Sequence, residues 1–367
     1  MEKLKLPIAR PIISDDEQKA VLEVLSSGIL TQGENVKRFE RKFADYLGVK
    51  HAISTNSGTS SLHVAVLALG LKNGDEVITT PFSFAASSNC ILYVGAKPVF
   101  VDIDPKTYNI DVDKIEDKIT NKTRAILPVH LYGQAANMEK IMDVAQKHNL
   151  KIIEDACQSH GSEYNGKKTG TIGDVSAFSF YPTKNMTTGE GGMVATNDDK
   201  LAEKASNFRN IGQQERYVHV SLGFNYRMQE SSAAIGLLQL KKLNDNNVKR
   251  IENAKFFTEQ LSGINGITTP YVDSKAKHVF HQYTIRINSD KITRDKLAAE
   301  LEKDGIGTRV YYPTSIHKQP LFKQLGHVEQ LPESDLATKE VLSIPVYPSL
   351  TRKDLEFIVE KIKSKFV

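Results

Sequence analysis

The chain has 367 residues, 40% of them hydrophobic and 25% charged, with a formal net charge of +4. That length carries two or three domains around a sizeable core, and the small, evenly spread charge is a solvated surface and not a nucleic-acid footprint. Two cysteines, Cys90 and Cys157, cannot build a disulfide framework, and neither a signal-peptide pattern nor an apolar run of membrane-spanning length is visible, so a cytoplasmic protein without nucleic-acid or membrane partners is expected.

Ser14-Asp15-Asp16-Glu17 is a capping box that opens a first helix running to Gly28; a second helix, through Phe39 and Phe43, ends near Gly48. Strands are then predicted at Ala52–Thr55, Val77–Thr80, Pro98–Asp102, Ala125–His130 and Lys151–Asp155. Between them lie stretches of helical period at Ser60–Leu69, Ser83–Tyr93 and Met138–His148. Such alternation means an α/β fold, a mainly parallel sheet with helices on both faces. Strands Val175–Phe180 and Gly192–Thr196 follow, then a long helical region from about Arg227 to Leu261. The tail reads as a smaller α+β domain: strand Val279–Ile287, helix Arg294–Lys303, strand Gly307–Tyr312, and a last helix capped by Thr351 and Asp354.

Three places carry candidate chemistry. Ser57-Gly58-Thr59-Ser60 lies between a strand and a helix, where exposed N–H groups and hydroxyls form an anion site; the same residues read equally as an N-cap and a turn. Asp155 ends the apolar strand Ile152-Ile153-Glu154-Asp155, at the carboxyl edge where open α/β sheets bind ligands. There it can be a metal ligand, a helix cap or the partner of a cation. Lys184 follows a strand, as many solvated lysines do, but it sits in Tyr181-Pro182-Thr183-Lys184-Asn185 just before Gly189-Glu190-Gly191-Gly192. A proline-stiffened turn and a glycine cluster let backbone pass close to a ligand while fixing one amine.

Ser179 with Lys184 five residues on, followed by the glycine cluster, resembles the Schiff-base segment of the DegT/DnrJ/StrS-type sugar-nucleotide aminotransferases. Glu154-Asp155-Ala156-Cys157-Gln158-Ser159-His160-Gly161 is similar to their pyridine-binding strand, and Asn56-Ser57-Gly58-Thr59 to their phosphate loop. Gly223-Phe224-Asn225-Tyr226-Arg227-Met228 resembles their partner-subunit motif, and Thr308-Arg309-Val310-Tyr311-Tyr312-Pro313, continued by Gln319-Pro320, their substrate stretch. The motifs stand in the family's order, and the resemblance runs from about residue 7 to the end.

The resemblance implies pyridoxal 5′-phosphate (PLP) as cofactor, held as a Schiff base by Lys184, with Asp155 at its pyridine nitrogen. A protonated pyridine makes the ring an electron sink when a Cα–H bond breaks. The phosphate would rest on Gly58, Thr59, Ser179 and Asn225 of the partner subunit. Phe84 would stack on the ring (its alternative is an ordinary core residue on a buried helix), and Gln158 would lie near the ring hydroxyl. Arg227, Tyr311 and Tyr312 are candidates for the substrate. The implied fold is the PLP-dependent transferase fold type I, with a large α/β domain over 1–245 and a small α+β domain over 246–367, in a homodimer with shared active sites. The implied reaction moves an amino group, with L-glutamate as donor, to a 3- or 4-keto sugar linked to a nucleotide, Lys184 shuttling the proton.

Other readings carry less. A sugar dehydratase of this kind has histidine where Lys184 stands, a non-catalytic regulatory protein would not need the lysine–aspartate–serine set, and no GxGxxG follows the first strand for a dinucleotide. Gly161 to Gly166-Lys167-Lys168 falls short of a P-loop, because Lys168 stands where Ser or Thr must bind Mg²⁺. His278 and His281, three apart in a predicted strand, point to opposite faces and make no metal site. Cys157 reads as a small buried residue.

Overall fold

Short apolar strands alternate with helices and close into one sheet, in a computed structural model that describes residues 5–366. In chain order come α1 (Asp15–Ser27), α2 (Glu34–Leu47), β1 (His51–Thr55), α3 (Gly58–Ala68), β2 (Glu76–Thr79), α4 (Ala86–Tyr93), β3 (Lys97–Phe100) and β4 (Thr123–Leu127). Then follow α5 (Met138–His148), β5 (Lys151–Asp155), β6 (Glu163–Tyr164), β7 (Lys167–Lys168), β8 (Val175–Ser179), β9 (Gly192–Thr196) and α6 (Asp199–Arg209). A hairpin of β10 (Gln213–Glu215) and β11 (Val218–His219) precedes the long α7 (Glu230–Leu261). The remainder holds β12 (Ile267–Thr268), β13 (Ala276–Lys277), β14 (Tyr283–Ile287), α8 (Arg294–Lys303), α9 (Pro320–Gln324), α10 (Pro332–Glu340), β15 (Val341–Ile344) and α11 (Arg352–Lys363).

Seven strands lie side by side in the order β1-β9-β8-β5-β4-β2-β3. Neighbours from β8 to β3 run parallel, while β9 runs antiparallel to both β1 and β8. All strands but β9 therefore end at one carboxyl edge. Alternate residues feed two cores. Val77, Ala125, Ile153, Val175 and Val194 pack with α3, α4 and α6, whereas Ala52, Phe178 and Met193 pack with α2 and Ile78, Ile126 and Ile152 with α5. This is the two-faced α/β sheet that the alternation demands.

A second unit, with its own core, is built on the antiparallel strands β12-β14-β15 with α8 and α11, around Tyr283, Ile285, Leu297 and Ile358. Leu6 belongs to this core, its backbone paired with Gly305 and Gly307. The 32-residue α7 joins the two units. Leu243 lies in the core with α2, while Ala254, Phe257 and Leu261 lie in the second core. The division expected at 245/246 thus falls inside a continuous helix.

Several expected boundaries move, each for a local reason. The strand expected over 125–130 stops at Leu127, since Pro128 has no N–H for the ladder. The one expected over 279–287 starts only at Tyr283, because Phe280 adopts a φ of 45° and breaks the extended run. Residues 307–312 form no strand; a single bridge joins Arg309 to Ser343. Helices α4 and α7 start at Ala86 and Glu230, three residues later than expected. The rejected P-loop segment is the β6–β7 hairpin.

The first capping box does more than start α1. Glu17 is fully buried and accepts hydrogen bonds from the Ser14 N–H (2.9 Å), from Gln239 Nε2 (2.8 Å) and from Lys242 Nζ (2.6 Å) on α7. Burial works to raise its pKa, but the bonds from Lys242, Ser14 and Gln239 outweigh it and hold the carboxyl at about 2. The folded value lies below the unfolded one, so the stabilisation is complete above pH ~4.5 and is lost as pH falls towards 2. Glu17→Gln should therefore cost about 1.5–3 kcal/mol at pH 7, the worth of hydrogen bonds to a charged group. In urea unfolding measured against pH, the gap to the parent protein should close below pH 4 and stay constant above pH 5.

Candidate active site

Because β1, β5 and β8 run parallel, the segments that follow them meet at one edge, around a cavity of about 580 Å³. Strand alternation sends the neighbours Glu154 and Asp155 to opposite sides of β5. Glu154 is fully buried and accepts from His130 Nε2 (2.9 Å) and from the N–H groups of Gly170, Ile172 and Gly173 (2.7, 2.7 and 2.6 Å). Asp155 emerges into the cavity, and its carboxylate is aimed by two donors: the Ser87 hydroxyl (2.7 Å) and the Cys157 N–H (3.1 Å).

At the end of β1, Ser57 caps α3, its Oγ accepting from the Ser60 N–H at 3.1 Å. This leaves the first-turn N–H groups of Gly58 and Thr59 without an intrahelical partner, in the cavity wall. A Cβ at Gly58 would stand 2.5 Å from that of Ser179, at the end of β8, so only glycine lets the two segments form one cradle. The cradle has the N–H groups, dipole and hydroxyls that a phosphate requires.

Lys184 lines the same cavity. Its N–H bonds to the Tyr181 carbonyl (2.9 Å), and Thr187 Oγ1 and the Thr188 N–H both close back on the Phe180 carbonyl (2.8 and 3.0 Å). Burial pushes the Lys184 amine below the ordinary lysine range, with the charge of Asp155 working against it. A partly buried amine, a fixed carboxylate and an anion cradle thus share one cavity.

A model of the DegT/DnrJ/EryC1/StrS aminotransferase family matches residues 11–363. The chain belongs to this family. Among its relatives are the GDP-perosamine synthase of Caulobacter vibrioides, 40% identical over 99% of both chains, and the pleiotropic regulatory protein of Geobacillus stearothermophilus, 46% identical over 93% of this chain and 91% of that one. The crystal structure of NtdA from Bacillus subtilis with bound cofactor PMP superposes with a TM-score of 0.88 at 35% identity, covering 99% of this chain and 87% of that one. The fold is that of the PLP-dependent aminotransferases, and the chain is an aminotransferase of this class.

The other residues singled out from the sequence divide in two. Phe84, Gln158, Tyr311 and Tyr312 line the same cavity as Gly58, Thr59, Asp155, Ser179 and Lys184. Phe84 is 61% exposed there, so it is not a core residue. Gln158 is oriented at both ends, accepting from the Tyr132 N–H and donating to the Tyr312 hydroxyl, each at 3.1 Å. The Tyr132 hydroxyl in turn donates to the Tyr311 carbonyl. Asn225 and Arg227 stand apart. Asn225 is exposed and its backbone is bridged to Asn210, while Arg227 donates to Asn210 Oδ1 (3.1 Å) in a separate cleft beside Glu40. Asn225 does not cap α7 either, since Gln229 holds that position.

Sequence reasoning missed Ser87, His281 and Gln282, all in the cavity wall. For the first, the available signal is the i,i+4 pair Ser83 and Ser87, whose hydroxyls are 2.9 Å apart. His281 falls in a predicted strand that does not extend so far; His278 stacks on Phe280 instead, with ring centroids 3.9 Å apart. Among the described residues no group of three His, Cys, Asp or Glu is placed to hold a metal ion. Since the Gly58 cradle leaves no room for a methyl group, Gly58→Ala should lower PLP affinity at least tenfold, read by equilibrium dialysis with absorbance detection. The same clash should lower the unfolding midpoint of the cofactor-free protein, overpacking of about 1–3 kcal/mol outweighing the better helix propensity of alanine.

Proposed function

We propose that this protein moves an amino group from an amino acid, with L-glutamate as donor, to the 3- or 4-keto group of a nucleotide-linked hexose. The observation that carries this reading is the partly buried Lys184 amine in one cavity with the Asp155 carboxylate and the first turn of α3. The GDP-perosamine synthase relative, at nearly full length, supports a nucleotide sugar as acceptor. The 46% identity to a pleiotropic regulatory protein favours a second, regulatory reading, against which stands the complete set of Lys184, Asp155, Ser179 and Gly58.

PLP, when bound, supplies an aldehyde carbon and a pyridine ring that accepts electrons. Lys184 Nζ would hold that carbon, and Asp155, steadied by Ser87, would keep the ring nitrogen protonated. Gly58, Thr59 and Ser179 would hold the phosphate, Phe84 would pack on the ring and Gln158 would face its hydroxyl. With its amine free, Lys184 would take the proton from the substrate Cα and redeliver it. Its lowered pKa leaves more of the amine unprotonated at neutral pH, as a base requires. Tyr311 and Tyr312, which line the cavity, would receive the nucleotide sugar; Arg227, outside its own chain's cavity, would reach it only from the partner subunit.

The protein works as a homodimer in which Asn225 of the partner subunit completes the phosphate site. Asn225 lies outside its own chain's cavity, and the segments near it expose Leu222 (83%), Tyr217 (76%) and Ile29 (59%), an apolar surface suited to a second copy.

Borohydride treatment of the holoprotein should fix PLP on Lys184, located by peptide mapping, and Lys184→Ala should abolish amine transfer to a panel of ketosugar nucleotides. Label on another lysine would overturn the assignment; label on Lys184 with no transfer to any acceptor would favour the regulatory reading. Mixed dimers test the shared site. A Lys184→Ala subunit paired with an Asn225→Ala subunit places both defects in one site, so about half of the wild-type activity should return. If Asn225 served its own chain, each site would carry one defect and activity would stay at the level of the homodimeric variants.

A further inference from the structure

We propose that Asn247, in the middle of α7, is a positioning residue for Lys184, acting through Asn185. Asn185 follows the lysine and is buried. Its Nδ2 donates to Asn247 Oδ1 (2.8 Å) and to the Val279 carbonyl (3.1 Å), and Asn247 Nδ2 donates to the His160 carbonyl (2.8 Å). The two carbonyls dictate how both amides face. Asn185 must turn its nitrogen to Val279, and Asn247 its nitrogen to His160, which leaves the Asn247 oxygen for Asn185. Neither a carboxylate nor an apolar side chain can complete this chain of bonds.

The link joins segments that are far apart in sequence but each carry part of the site. Asn185 anchors the Lys184 turn, His160 ends the turn that begins with Asp155 and holds Gln158, and Val279 leads into His281 and Gln282. Gly161 makes room for it, since a Cβ there would lie 2.7 Å from Asn247 Nδ2. The requirement follows from what Lys184 has to do. One amine serves first as covalent anchor and then as a free base, so its Cα must stay fixed while its long side chain swings. The Tyr181 turn holds the residue on one side, and Asn185, held by Asn247, holds it on the other. Misplacing a reacting group by about 1 Å costs up to 100-fold in rate.

The inference rests on the transaminase reading for the lysine's role, so the first test uses cofactor-free protein. Acetic anhydride labelling of Lys184 across pH, quantified by peptide mapping, reads the amine's surroundings whether or not the protein transaminates. The titratable groups around the amine are Asp155, Cys157, His160 and His281. In Asn247→Ala, and equally in the isosteric Asn247→Asp, looser packing should admit water, and the labelling midpoint should rise by about one pH unit. In the holoprotein, kcat should fall 10- to 100-fold with KM for the donor within threefold. The double variant Asn185→Ala/Asn247→Ala should be no worse than the poorer single one, because both break the same link. An unchanged labelling midpoint in folded Asn247→Ala, with only the unfolding temperature lowered, overturns the proposal. If that variant does not fold, the same measurement is made on Asn185→Ala, which leaves Asn247 bonded to His160, and an unchanged midpoint there overturns the proposal equally. A shifted midpoint without transaminase activity in the parent protein would sink the functional reading and leave the positioning role standing.

Discussion

A charge shut away from water is tolerable only where donors surround it, and Glu154 meets that condition. Burial alone would raise its pKa; the bond from His130 and the amides of the 170–173 loop outweigh this and hold the carboxyl below its ordinary range. Those amides belong to the chain that feeds β8, so the buried carboxylate fixes where β8 enters the sheet. Ser179 and the turn of Lys184 lie at the other end of the same strand. The next residue on β5, Asp155, is turned by strand alternation into the cavity. One pair of adjacent acids thus divides the work, one anchoring the scaffold and the other facing the ligand.

The parallel topology explains why the site lies where it does. Loops after β1, β5 and β8 can meet only at the common carboxyl edge, and α3 starts there with its dipole towards the phosphate cradle. The second unit covers that edge with Tyr311, Tyr312 and His281, on the far side of the junction spanned by α7. Tyr132 bonds to the Tyr311 carbonyl and Gln158 to the Tyr312 hydroxyl, so the turn after β5 in the large unit is tied to the 311–312 segment of the small one. A shift of one unit against the other would be felt at Gln158.

Elsewhere the units are sewn together by caps that cross between elements. Glu230, at the start of α7, accepts from the N–H groups of Gly33, Asn35 and Val36 and so caps α2. Asp102 accepts from the N–H groups of Glu333 and Ser334 and caps α10. These carboxylates satisfy helix starts whose own N-cap residues, Gly33 and Leu331, make no side-chain bond to them.

What the sequence determined by itself is what short-range chemistry can write. The strand–helix alternation, the capping boxes at Ser14 and Thr351, and the local sets Ser57–Ser60, Glu154–Gly161 and Ser179–Gly192 are each encoded within a dozen or so residues. They were enough for the fold class; Lys184, Asp155, Gly58 and Ser179 were singled out by their resemblance to the family's motifs, and the structure brings all four to one cavity. Tertiary structure decided the contacts that join distant segments: Ser87 to Asp155 across 68 residues, and Asn185 to Asn247 across 62. It also decided which apolar residues are not core, as with Phe84, and where a β-rich run stops being a strand, as at Phe280. Side-chain type and spacing set what a residue can do locally. Which partner it meets is fixed only when the sheet brings the ends of its strands together.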